Sequence, residues 1–188
     1  MKKPIIFLIF LAISVIIILL CIKNIFNTNI FSSDSNKVFT PQKTGVVPSL
    51  EIENFKLIQT IGNEKQWELL AKSALEYEDQ KEVFIKDTLI YFFKKNKIVL
   101  TVKSKEGIVD LRTKDIIISG NVDASSSDGL NLKTESLRWL SADGKMVTED
   151  PIVLTRAEMI IEGKGMEADI GLGKLKVKEQ ARVQVLKK

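Results

Sequence analysis

The stretch "EKQWELLAKSALEYEDQKE", residues 64–82, decides the fold. Beyond Leu50, its apolar spacing comes nearest to a helical period. Yet "WELLAKSALEYE" reads equally well as two short strands around a turn. The neighbouring sequence favours strands. In "IVLTVKS", residues 98–104, Ile98, Leu100 and Val102 share one face, with Val99, Thr101 and Lys103 on the other. "DIIISGNV", residues 115–122, places Ile116, Ile118 and Val122 alike. Turn signals separate such runs: "SKEG", "SSSDG", "SADGK", "EGKG" and "IGLGK".

Aligned on themselves, the runs repeat about every 30 residues. Leu75, Ile108, Leu137 and Met166 lead Val83, Ile116, Met146 and Leu175; then come Asp87, Gly120, Asp150 and Glu179, followed by Leu89, Val122, Ile152 and Ala181. Each unit reads as strand, tight turn, strand, polar corner, strand. A unit this small cannot bury its apolar face alone, so stacked units should share one interior between two sheets. The expected fold is all-β, an open-ended roll closed along its length. Alternation turns Ile98, Leu100, Val102, Ile116, Ile118, Leu132, Ile152, Leu154 and Val183 inward. The last stretch, "LKVKEQARVQVLKK" (175–188), reads as a strand and is expected to lack a polar cap.

The first 49 residues are of another kind. Residues 5–22, "IIFLIFLAISVIIILLCI", carry no charge and would span about 27 Å as a helix, enough for a bilayer. Lys2 and Lys3 precede them, so residues 1–4 are expected in the cytoplasm and the rest exported. The exit lacks the small residues of a cleavage site, which favours a retained anchor. Residues 23–49 read as a tether and residues 50–188 as the domain.

Composition excludes much chemistry. The chain of 188 residues has no His and one Cys, Cys21, which removes His-based triads, Cys–His pairs and imidazole or thiolate zinc sites. Five lysines against Asp34 in residues 1–44 account for the net charge of +4, and the remainder balances. No basic patch for nucleic acid is expected. Glu149 with Asp150, or Glu167 with Asp169, could serve as the paired carboxylates of a glycosidase. Acids at strand corners are more often solvated turn residues. A membrane-tethered scaffold that bridges proteins with a fully packed interior is the other alternative.

"WELLAKSA" (67–74), "SGNV" (119–122), "GLNLKTESLRW" (129–139), "TEDPIVL" (148–154) and "EGKGMEAD" (162–169), in this order behind an anchor and tether, resemble the lipopolysaccharide-export family of LptC and its soluble relative LptA. Trp67, Leu69 and Ala71 match the family's early W-x-L-x-A. Gly120, Asn121 and Val122 match G-N-V; Thr134, Glu135 and Leu137 match T-E-x-L; Gly163 and Gly165 match G-x-G. The resemblance implies a twisted, V-shaped two-sheet β-jellyroll whose interior holds the acyl chains of lipopolysaccharide, with Leu69 and Ala71 joining the inward residues. It implies an inner-membrane protein with a periplasmic domain, no enzyme and no cofactor. The ATP-driven LptB, LptF and LptG transporter would meet the N-terminal edge. LptA would meet the C-terminal edge, at Leu175, Val177, Arg182, Val183 and Val185.

Overall fold

The computed structural model describes residues 48–77 and 81–186. The expected anchor at 5–22 and most of the tether lie outside them. No helix among the described residues is long and apolar enough to cross a membrane.

The described residues form one antiparallel sheet of nine strands in chain order. They are β1 (Leu50–Ile61), β2 (Glu64–Glu76), β3 (Glu82–Lys94), β4 (Lys97–Asp110), β5 (Ile116–Ser126), β6 (Asn131–Leu140), β7 (Lys145–Arg156), β8 (Met159–Asp169) and β9 (Leu175–Val185). The sheet is open: β1 and β9 are its two edges. The expected pair of sheets is thus one continuous sheet. "WELLAKSALEYE" supplies no pair of short strands either, because Glu64–Glu76 runs as a single strand hydrogen-bonded on both sides.

The repeat is real, but its corner is not a corner between strands. Each unit is one hairpin, and the polar position falls in the middle of a continuous strand. Register shifts interrupt the ladder at Lys103/Glu106, Ser119/Val122, Thr134/Arg138, Thr148/Pro151 and Glu162/Lys164. Left-handed residues sit on the same line, at Asp87, Gly120, Asn121, Gly165 and Gln180. "SKEG" and "EGKG" belong to this bulge line, inside β4 and β8, whereas "SSSDG", "SADGK" and "IGLGK" do form turns. A β-bulge bends its strand and strengthens the local twist. Two glycines on the line are required by conformation and space: Gly120 at φ +80° and Gly165 at φ +68° lie against the Lys105 and Lys178 side chains.

The aligned bulges fold the sheet across its own strands. Trp139 on β6 belongs to the cross-strand row Val83–Val109–Ile116–Trp139. Phe92 lies nine residues further along β3 than Val83, about 30 Å away in a flat strand. Nevertheless the Phe92 and Trp139 rings lie 5.1 Å apart. The two halves of each strand therefore form two arms that face one another, hinged at the bulges. Their inner faces share one apolar core.

Candidate functional site

The interior between the arms is the candidate site. The first arm carries the row Leu69–Ile90–Val102–Ala124–Leu132–Leu154–Ile161–Val183, crossing β2 to β9. The second carries Ile85, Gly107, Ile118 and Leu137, and next to them Val83, Val109, Ile116, Trp139 and Met146. Leu69, Ala71, Leu100, Val102, Ile116, Ile118, Leu132, Ile152 and Leu154 are all buried here.

Two of the expected inward residues are not covered. Ile98 is 46% exposed. It follows the β3–β4 turn, where a register shift between Phe92 and Phe93 breaks the alternation that turned it inward. Val183 belongs to the inward row, yet it is 59% exposed because β9 is the edge and nothing lies opposite.

The arms meet with an offset of three or more strands, since Phe92 on β3 touches Trp139 on β6. Likewise Gly171, in the β8–β9 turn, packs against Val99 on β4. This offset is the expression of sheet twist. It leaves half of the interior uncovered at each edge. At β1 the second-arm residues Leu50 and Ile52 are exposed, and Phe55, Leu57, Ala74, Val83 and Leu111 join them around a cavity of ≈ 220 Å³. At β9 the first-arm residues Val183 and Val185 are exposed, the latter at 69%.

Between the edges the interior is shut. The gap among Ile90, Phe92, Val102, Ile116, Ile118, Leu137, Trp139 and Met146 is only ≈ 10 Å³. The arm tips close the mouth opposite the hinge. Trp67 pairs across strands with Phe92, and Phe92 abuts Trp139. Leu172 tucks in behind Gly171 and is buried.

Buried hydroxyls at the inward positions along the hinge have partners within the chain. Thr88 and Ser104 share a hydrogen bond of 2.5 Å, and Thr134 donates to the Pro151 carbonyl at 3.0 Å. Asp150 N–H donates to Thr148 Oγ1 at 3.1 Å. Thr134 is thus a ladder residue, and Asn121 occupies a bulge.

The outer face carries the charges. Glu68 accepts from Lys56 at 2.7 Å and Lys65 at 2.5 Å, and these hydrogen bonds hold its carboxyl below the usual range. Burial pushes Glu106 up, partly opposed by Lys86. The acids considered as a glycosidase pair have structural partners: Glu149 binds Lys178, Asp150 accepts from Ser136, Glu167 binds Lys145, and Asp169 accepts from the Lys174 N–H. Lys145 holds the Glu167 carboxyl low, the opposite of what a general acid needs.

On β9, Leu175 and Val177 pack partly against the core, while Arg182, Val183 and Val185 are exposed. The outer backbone edge of β9 pairs with no strand among the described residues. Trp67, Trp139 and Phe92 emerge as the residues that close the mouth. Their aromatic character marks them in sequence, but nothing in the sequence brings them together.

The fold and its interior define a class: an all-β module, open at both sheet edges, with a continuous apolar inside and a charged outside. The chain belongs to the family described as "Lipopolysaccharide-assembly, LptC-related", whose sequence profile matches residues 14–186. No curated protein matches it. Among solved structures it is similar to LptH of Pseudomonas aeruginosa, the LptA-homologous periplasmic component of the lipopolysaccharide transport device. The TM-score is 0.51 at 8% identity, over 64% of this chain and 95% of that one. At that identity the likeness is one of fold alone.

Proposed function

We propose that the chain is a conduit for lipopolysaccharide between the inner and outer membranes. Residues 5–22 anchor it in the inner membrane with residues 1–4 in the cytoplasm, and residues 23–49 tether a V-shaped periplasmic jellyroll. The interior receives acyl chains from the LptB, LptF and LptG transporter at the β1 edge and passes them to LptA at the β9 edge. The observation that carries this reading is an apolar interior that is packed in the middle and lies uncovered at both sheet edges. The two uncovered halves are complementary: first arm at β9, second arm at β1. A jellyroll of the same build added strand to strand at β9 would cover Val183 and Val185 with its own second arm, extending the trough across the joint.

Each CH₂ kept from water contributes about 0.8 kcal/mol, so a chain moved through a continuous apolar channel avoids a large barrier. No catalytic group is needed; ATP hydrolysis elsewhere supplies the work. Because the middle is packed, acyl chains enter only as the arms part at the mouth, replacing one apolar contact by another.

The packed gap of ≈ 10 Å³ supports a second reading, a membrane-tethered scaffold that bridges proteins without carrying lipid. Photocrosslinking in cells separates the two. A conduit gives lipopolysaccharide adducts from Ile116, Leu132 and Val183 but not from Lys133 or Arg182. No adduct at any inward site in transporting cells would leave the scaffold.

A further inference from the structure

The interior is mostly apolar, and its buried hydroxyls at Thr88, Ser104, Ser126, Thr134 and Thr148 all have hydrogen-bond partners within the chain, whereas two donors at its mouth do not. Trp67 and Trp139 are buried, and neither indole Nε1–H has a partner among the described residues. Buried indoles normally find an acceptor, and leaving one unpaired is costly. The hinge hydroxyls described above show that this chain satisfies polar groups where it buries them. A third buried polar atom, Ser119 Oγ, lies one residue past inward Ile118 on the outer face, where the Glu106 carboxylate opposite is its hydrogen-bond partner.

The gap against Trp139 cannot answer its need from within. Its other lining residues are Ile90, Phe92, Val102, Ile116, Ile118, Leu137 and Met146. A water there would have one polar partner where stable buried waters have two to four. The acceptor that suits the site arrives with the ligand.

Position fixes which part of the ligand it is. Both tryptophans sit at the arm tips, whereas nearer the hinge the contact is aliphatic or from hydroxyls already hydrogen-bonded within the chain. A lipid lying with its head group in water outside the mouth and its chain ends toward the hinge brings the first few carbons of each chain level with the indoles. Resting on the conduit reading, we propose that the interior selects acyl chains bearing an oxygen acceptor near the head-group end. That acceptor, a hydroxyl on the chain a few carbons in from the head group, takes a hydrogen bond from Trp139 Nε1–H, with Trp67 Nε1–H as the second donor. The mouth is then a specificity filter as well as a closure.

Trp67 and Trp139 are the chain's only two tryptophans, so intrinsic emission reports on this site alone. The full chain in tryptophan-free polymer nanodiscs is titrated with 3-hydroxytetradecanoic acid and with tetradecanoic acid, each corrected for partition into empty discs. The hydroxylated probe should bind about tenfold more tightly, equivalent to about 1.4 kcal/mol. Trp139→Phe keeps a ring against Phe92 and should weaken the hydroxylated probe alone. Equal affinities in the wild-type chain overturn the selection and leave the conduit standing, and this comparison needs no variant to fold. A preference surviving in both Trp139→Phe and Trp67→Phe overturns the assignment to the indoles. Binding of neither probe overturns the conduit, and the selection with it.

Discussion

Replacing Val99 and Gly171 with cysteine, in a chain whose single Cys21 is serine, should lock the mouth. An ideal Cβ at Gly171 lies 3.4 Å from the Val99 Cβ, beside the separation of about 3.5–4.5 Å that a disulfide spans. The bond would close a loop of about 70 residues, worth about 4 kcal/mol by chain entropy. Gly171 sits at φ +91°, so a side chain there returns about 1–2 kcal/mol of that gain. The oxidised protein should remain folded and somewhat more stable than the reduced one. Because Val99 and Gly171 lie on facing arms, oxidation should also prevent the parting that admits acyl chains. The assay is the lipopolysaccharide that copurifies with the chain from cells grown with the disulfide formed, compared with the single-cysteine controls. Reduction before a second exposure to lipid should restore uptake. Oxidised protein carrying as much lipid as the controls would refute the reasoning, because chains would then be entering without the mouth.

Three further outcomes follow from particular contacts. Glu68→Gln should cost up to about 1 kcal/mol at neutral pH, since two partly exposed lysines are its partners. Its folded carboxyl titrates below the ordinary 4.5, so the wild-type advantage is complete above that value and is lost as pH falls through the folded value; urea titrations at pH 7 and pH 3 check it. A Cβ on Gly107 would lie 2.8 Å from the Ile117 carbonyl and 3.1 Å from Ile85 Cδ1, so Gly107→Ala should cost about 1–3 kcal/mol and lower the Tm by roughly 3–10 °C in a thermal melt. Deleting residues 180–188 removes the first-arm half of β9 and should abolish capture of LptA in a pull-down while the chain stays in the membrane fraction; undiminished capture would place that joint elsewhere.

Why the sequence misleads at residues 64–82 is a matter of bulges. Inward positions on β2 run Trp67, Leu69, Ala71 and then Ala74, a step of three where the strand crosses the bulge line. A step of three inside an alternating run imitates a helical face. The same slip separates Ser104 from Gly107 on β4 and Thr134 from Leu137 on β6, and its recurrence is what the repeat of about 30 residues detects. Strand content and the hairpin unit are therefore legible from local pattern. What the aligned bulges do together is not. Folding one sheet on itself, offsetting its arms and closing them with Phe92 against Trp139 depend on twist accumulated over several strands. The exposure of Val183 has the same origin, since alternation says which side a residue points to and only the fold says what covers it, whereas Ile98 is turned out by one more bulge at the β3–β4 turn.

If acyl chains enter by parting the arms, a distance measured across the arms must change on loading. Spin labels at Thr101 on the outer side of the first arm and Arg138 on the outer side of the second leave the interior untouched. Pulsed electron paramagnetic resonance on the full chain, with Cys21 replaced, should show this separation lengthen when lipopolysaccharide is added, by roughly 4–5 Å for each apolar layer inserted. A distance distribution unchanged at saturating lipopolysaccharide would contradict the account.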